Sequence, residues 1–235
     1  MGREVSALAL RDPAVTLTGG WSRGNQDEVL GVPVTSELPA LLASCDVLID
    51  FTGAAATPTV ASACAAASVA LVTGVTGLGT TENEALREAA NSVAVFQAAN
   101  MSPGVNAMLA VLPALVRALQ GYDLELVEAH HRYKADAPSG TAIALARVMA
   151  DASGGPLPER AVHGREGASL RQPPEIGIHA VRAGGNPGEH SVILASDGEE
   201  IRLSHRAFNR SAYAEGALKA ARLIVDQPAG WYEPA

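Results

Sequence analysis

Between residues 14 and 97, short β-branched runs alternate with alanine-rich stretches of helical period, and this alternation constrains the fold more than any other feature. "AVTLTGG", "CDVLIDFTG", "VALVTGVTG" and "VAVFQAAN" read as strands, with "LPALLA", "ATPTVASACAAA" and "TENEALREAANS" as the helices among them. Strand, helix and strand in succession is the βαβ rhythm of a parallel sheet. All four runs end in Gly or Asn, at the edge where a doubly wound sheet opens its ligand crevice. A nucleotide-type cleft is the expectation.

The pattern changes near residue 102. "SPGVNAMLAVLPALVRALQG" reads as a long helix opened by Ser102 and Pro103, which Pro113 should kink. A strand, "DLELVEAHH", follows, then a loop, then a helix over "SGTAIALARVMADASGG". Residues 155–174, with four prolines, read as surface loop. "EIGIHAVR", "EHSVILAS" and "EEIRLSHR" are strands joined by "AGGNPG" and "DG", a hairpin pattern predicting antiparallel sheet. "NRSAYAEGALKAARLIVDQ" closes the chain as an amphipathic helix.

Composition matters mainly for what it rules against. A hydrophobic content of 48% is enough for a buried core, and a net charge of −8 without any Lys/Arg block argues against nucleic acid as a partner. No run is long and apolar enough for a membrane span, so a cytoplasmic location is expected, and Cys45 and Cys64 read as reduced core thiols.

Two glycine-rich turns, "TGGWSRG" at 18–24 and "GVTGLG" at 74–79, permit close backbone approach to a nucleotide, although ordinary strand-to-helix turns account for either one alone. Their joint presence with "AAN" at 98–100 on one predicted sheet edge favours the cleft. The stretch "EAHHRYKADAPSGTA" is denser in chemistry. Successive strand residues face opposite sides, so His130 and His131 cannot both be core. Adjacent strand histidines also diverge, and with no second ligand nearby a metal site is not expected. Pro138 disfavours helix at Ala137, which puts Ser139 to Thr141 in the first helical turn. Gly140, Thr141 and the helix dipole would receive a carboxylate there, with Lys134 and two histidines beside it. The expected ligand is a small acid with more than one carboxylate.

"EAHHRYKADAPSGTA" resembles the signature of the 4-hydroxy-tetrahydrodipicolinate (dihydrodipicolinate) reductase family of lysine and diaminopimelate biosynthesis. The likeness extends through "VLIDFT", "VTGVTGL", "AANMSPGVN", "REG" and "RAGGNPGEH" to the last helix. It implies a Rossmann-like parallel-sheet domain over 1–101 and an α/β substrate and oligomerisation domain with a mixed or antiparallel sheet over 102–207. Residues 208–235 would be a C-terminal helix packing back on the first domain. It further implies a homotetramer, an NADPH or NADH cofactor and a cyclic dicarboxylate substrate. By the same resemblance His130 gives or takes a proton, Lys134 donates one, and His131, Gly140 and Thr141 hold the substrate. The cofactor positions are Met1, Ser22, Arg23, Gly74, Val75, Thr76, Ala98, Ala99, Asn100 and Met101.

The family opens with a strand and a G-x-x-G-R-M-G loop, whereas "MGREV" matches only the tail of that loop. The expectation is a chain truncated at its N-terminus and lacking the first strand. The alternative function is then a non-catalytic remnant that keeps the substrate domain and its oligomer.

Overall fold

The computed structural model describes residues 1–24 and 28–234; Ala235, the end of the expected C-terminal segment, lies outside them. The chain divides into two compact units, Met1–Pro103 with Arg210–Ala235, and Gly104–Asn209.

The first unit holds α1 (Gly2–Ala9), β1 (Gly20–Trp21), β2 (Glu28–Val29), β3 (Val32–Thr35), α2 (Leu38–Leu42), β4 (Val47–Asp50), α3 (Thr57–Ala67), β5 (Ala70–Thr73), α4 (Thr80–Ala89) and β6 (Ala94–Gln97). It is completed by α7 (Ser211–Ile224) and β12 (Gly230–Tyr232). Its parallel sheet has the order β12-β6-β5-β4 and is covered on both faces. Leu71 and Val95 point to α3 and α4, while Val72 and Phe96 point to Ala217, Ala220 and Ile224 of α7. This is why β5 and β6 read as unbroken apolar runs: in a strand buried on both sides, neither set of alternate positions is free to be polar. Cys64 is buried in this core with its thiol pushed up to about 12, first by burial, whereas Cys45 is only half-buried.

The strand expected over "AVTLTGG" is a correction. Only Gly20 and Trp21 enter a ladder, pairing with β3 in a separate sheet of order β1-β3-β2. Between residues 14–21 and β4 runs a groove of about 610 Å³, lined also by Gly2, Val5 and Leu218. The segment before Gly20 therefore has no neighbour close enough to bond, and an extended backbone without a ladder partner is not a strand.

The second unit contains most of α5 (Pro103–Ala118), then β7 (Asp123–His130), α6 (Gly140–Ala152), β8 (Ala161–His163), β9 (Ile176–Arg182), β10 (Glu189–Ala195) and β11 (Glu200–Arg206). Helix α5 continues through Pro113. Its Met108, Leu112 and Val116 pack with Leu145 and Met149 of α6 on Leu124, Leu126, Ile176, Ile178, Val192 and Leu194 of the sheet. Each such fully buried side chain contributes roughly 1.5–3 kcal/mol.

The sheet order β11-β10-β7-β9-β8 is mixed and corrects the expected hairpin over "AGGNPG". Strands β9 and β10 do not pair; β7 lies between them, parallel to β9 and antiparallel to β10. The link Ala183–Gly188 instead crosses the end of β7. There the Ala183 amide donates to the His130 carbonyl, and the His131 and Arg132 amides donate to the carbonyls of Asn186 and Gly184. "DG" does join a true hairpin, β10 with β11. The region read as surface loop contains the short strand β8, parallel to β9.

Candidate functional site

In the second unit, alternation along β7 sends Leu124, Leu126, Glu128 and His130 to the buried face. The apolar pair supports the sheet; the polar pair begins a site. Strand register then supplies their partners, with Arg182 of β9 opposite His130 and His190 of β10 opposite Glu128.

Glu128 is completely buried and receives four hydrogen bonds. Arg182 donates Nη1 to Oε2 (2.8 Å) and Nη2 to Oε1 (2.7 Å), the Ser139 amide reaches Oε1 (3.0 Å), and His130 Nδ1 lies 2.5 Å from Oε2. Burial by itself would push this carboxyl up, but the Arg182, His130 and Ser139 bonds outweigh it and hold Glu128 below its ordinary range. His130 moves down because burial disfavours the imidazolium; Glu128 opposes that, while the charges of Lys134 and Arg182 reinforce it. The ring is neutral near pH 7. His190, edge-on to His130 at 5.2 Å with Nε2 3.1 Å from Ser139 Oγ, is pushed down to about 4, chiefly by burial.

The loop after β7 carries Lys134, whose Nζ lies 2.8 Å from Asp136 Oδ1. Arg182 Nη2 also donates to the Asp136 carbonyl at 2.6 Å, tying this loop to the buried carboxylate. His131 is half-buried, and its Nδ1 has no hydrogen-bond partner among the described residues. Ser139, placed by sequence within the first turn of α6, is its N-cap: the side chain accepts the Ala142 amide. The amides of Ser139 and Ala142 are thus already engaged within the protein. A Cβ on Gly140 would meet nothing within 4 Å, so open space lies in front of it.

The opposite face of β7 is structural. Glu125 fits over Gly177, where a Cβ would meet its carboxylate at 1.8 Å, and pairs with Arg165, Arg171 and His179.

The remaining sequence-predicted residues lie in the first unit. Gly74, Val75 and Thr76 follow the C-terminal end of β5, and Ala98, Ala99, Asn100 and Met101 that of its neighbour β6. The Ala98 amide donates to the Thr73 carbonyl, and Asn100 Oδ1 accepts the Ser102 amide, so the two loops are held side by side. Gly74 has no room for a side chain, since a Cβ would stand 2.2 Å from the Phe51 ring. Gly216 is similarly required, because its Cβ would fall 1.6 Å from the Met101 carbonyl oxygen and push α7 off this loop. Ser22 and Arg23 follow β1; Ser22 Oγ accepts the Gly24 amide, and Arg23 is exposed and forms no ion pair among the described residues. Met1 is the N-cap of α1.

Glu128, Arg182, Asp136 and His190 carry this geometry without having been singled out by sequence. Glu128 was detectable, two residues before His130 and so on the same face of a strand. Arg182 and His190 were not, since only the register brings them there.

The family models described as dihydrodipicolinate reductase, N-terminus, and dihydrodipicolinate reductase, C-terminus, match residues 1–101 and 104–234. The chain is 43% identical over 247 residues to the 4-hydroxy-tetrahydrodipicolinate reductase of Halorhodospira halophila, covering 99% of itself and 92% of that protein. It is 44% identical to the enzyme of the same name from Rubrobacter xylanophilus, with the same shares covered. Among solved structures, a dipicolinate-bound dihydrodipicolinate reductase from Paenisporosarcina sp. TG-14 superposes with a TM-score of 0.78 at 21% identity, covering 99% of this chain and 92% of that one. Among the described residues no helix is long and apolar enough to cross a membrane. With both halves matched and relatives above 40% identity along nearly its whole length, the chain belongs to the dihydrodipicolinate reductase family.

Proposed function

We propose that this protein reduces 4-hydroxy-tetrahydrodipicolinate to tetrahydrodipicolinate with NAD(P)H, in lysine and diaminopimelate biosynthesis. The observation that carries the reading is the juxtaposition of a neutral, carboxylate-bound His130 with the cationic Lys134 loop and the start of α6, where open space lies in front of Gly140. Gly140 and Thr141, at the positive end of α6, receive one carboxylate of the cyclic diacid, and the buried, unpaired Nδ1 of His131 offers a polar contact to it.

The paired loops 74–76 and 98–101, on one edge of a parallel sheet, suit a nicotinamide cofactor, which when bound supplies the hydride. Departure of the hydroxyl as water leaves a ring C=C conjugated with the C=N; hydride adds at the far carbon of that system, and one proton on the carbon between them restores the C=N of the product. Lys134 is the group charged to donate that proton, and His130, neutral, accepts a hydrogen bond or proton in return.

The test is oxidation of NADPH or NADH on adding freshly generated 4-hydroxy-tetrahydrodipicolinate; no oxidation with either cofactor overturns the reading. The groove beside β4 favours the alternative of a non-catalytic remnant, because it interrupts the sheet that the cofactor would sit on. Fluorescence titration separates the two: NADH enhancement at micromolar cofactor supports the enzyme, none at millimolar the remnant. The cytoplasmic homotetramer implied by the resemblance belongs to the same proposal, supported by β11, whose outer edge has no partner strand among the described residues.

NADPH is expected to be preferred or fully accepted. Enzymes selective for NADH commonly place a carboxylate after the second strand, where it repels a 2′-phosphate; here Ser22 and the exposed Arg23 offer a hydroxyl and a guanidinium instead. Ser22→Asp should lower NADPH efficiency selectively, and an unchanged NADPH to NADH ratio would show that this turn does not read the phosphate.

A further inference from the structure

Glu128 is an odd residue to bury. An ionised carboxylate inside a domain persists only when its lone pairs are filled, and those of Glu128 are filled by Arg182 twice, the Ser139 amide and His130. Neither Glu128 nor Arg182 is part of the acid–base and substrate assignment above, yet Glu128 bonds His130 and Arg182 stands opposite it in the register of β7 and β9.

We propose that Glu128, clamped by Arg182, is a positioning residue that fixes His130 in the tautomer with its proton on Nδ1 and its lone pair on Nε2. Through the second bond of Arg182, to Asp136, it also holds the Lys134 loop against that ring. The role as it bears on turnover rests on the reductase reading.

The geometry leaves little freedom. Glu128 is acceptor-only, and at 2.5 Å from Nδ1 the hydrogen must lie between the two atoms, so the proton of a neutral ring sits on Nδ1. Burial is the main influence disfavouring a second proton on the ring; the cations Lys134 and Arg182 act in the same sense, Glu128 acts against them, and His190 is held neutral by burial. The Ala183 amide on the His130 carbonyl fixes the backbone from the other side. His130 Nε2 is therefore left to accept, which keeps proton donation with Lys134. Arg182 links the two roles mechanically, since one Nη2 binds both Glu128 Oε1 and the Asp136 carbonyl, two residues along from Lys134.

The direct test is the long-range ¹H–¹⁵N spectrum of the wild-type protein at a pH above the ordinary imidazole range, with the His130 signals assigned by their loss in His130→Gln. Protonated Nδ1 with a bare Nε2 is expected; the opposite tautomer overturns the proposal. Glu128→Gln keeps the shape but turns a donor toward His130 or Arg182. It should move the His130 proton to Nε2 and lower kcat per folded molecule about 100-fold, within the range for groups that orient a reacting imidazole, with cofactor affinity unchanged. A role in stability alone would lower the melting midpoint but leave kcat per folded molecule within about twofold, against that expected loss. Should Glu128→Gln fail to fold, the wild-type spectrum still decides. If the wild-type protein turns over no substrate, the reductase reading fails while the tautomer assignment stands or falls on its own spectrum.

Discussion

Replacing Lys134 with alanine is expected to lower turnover about a hundredfold to ten-thousandfold, the usual contribution of a positioned general acid, while NAD(P)H affinity barely moves. The side chain is mostly solvent-shielded but surface-connected, and it pairs with Asp136, itself more than half exposed. Exposed pairs of this kind contribute about 0–1 kcal/mol, so the fold should hardly notice the change. The loss is chemical: the proposed proton donor is gone, and the neutral His130 on the same stretch has its Nδ1 proton committed to Glu128. Lys134 belongs to the second unit and the loops 74–76 and 98–101 to the first, so the substitution leaves the residues of those loops unaltered. Steady-state turnover with a parallel NADH fluorescence titration checks both halves. An equal loss of cofactor affinity would remove Lys134 from the acid–base assignment.

The second large effect is on stability. The groove along β4 is flanked on one side by a strand edge with no partner strand among the described residues and on the other by residues 15–19. Fusing five or six strand-forming residues, rich in Val and Ile, ahead of Met1 should let them enter the groove parallel to β4. They would join the two sheets of the first unit into one ladder. The buried side chains, at roughly 1.5–3 kcal/mol each, together with the hydrogen bonds gained on both edges are expected to exceed the ordering cost of about 1.5 kcal/mol per residue by a few kcal/mol. For a chain of this length that is a rise of about 5–15 °C in melting midpoint. Thermal melts of the two proteins under identical conditions check this, and equal midpoints would show that the groove is not a strand site.

Local pattern carried much of the reading because the features concerned are local. The apolar runs of β5 and β6, the helix start just after Pro138 and the amphipathic α7 are each specified within a few residues by side-chain period and proline chemistry. The small strand β12 and helix α1 were not anticipated, being too short for a period to register. The hairpin inferred from "AGGNPG" was wrong for an instructive reason: a Gly-rich link between two strands is equally suited to passing over the end of a third.

The sequence by itself determined the element types, the parallel character of the first sheet, and the presence of two histidines, a lysine and a helix start within one stretch. Tertiary structure alone decided that β7 sits between β9 and β10, and so that Arg182 and His190 flank Glu128 and His130. It also decided that residues 15–19 remain outside any ladder. The physical reason is range. A helix cap or a strand period is satisfied by neighbours in sequence, whereas a cross-strand partner is chosen by register among segments some fifty residues apart, where burial of the whole sheet face, and no local preference, selects the pairing.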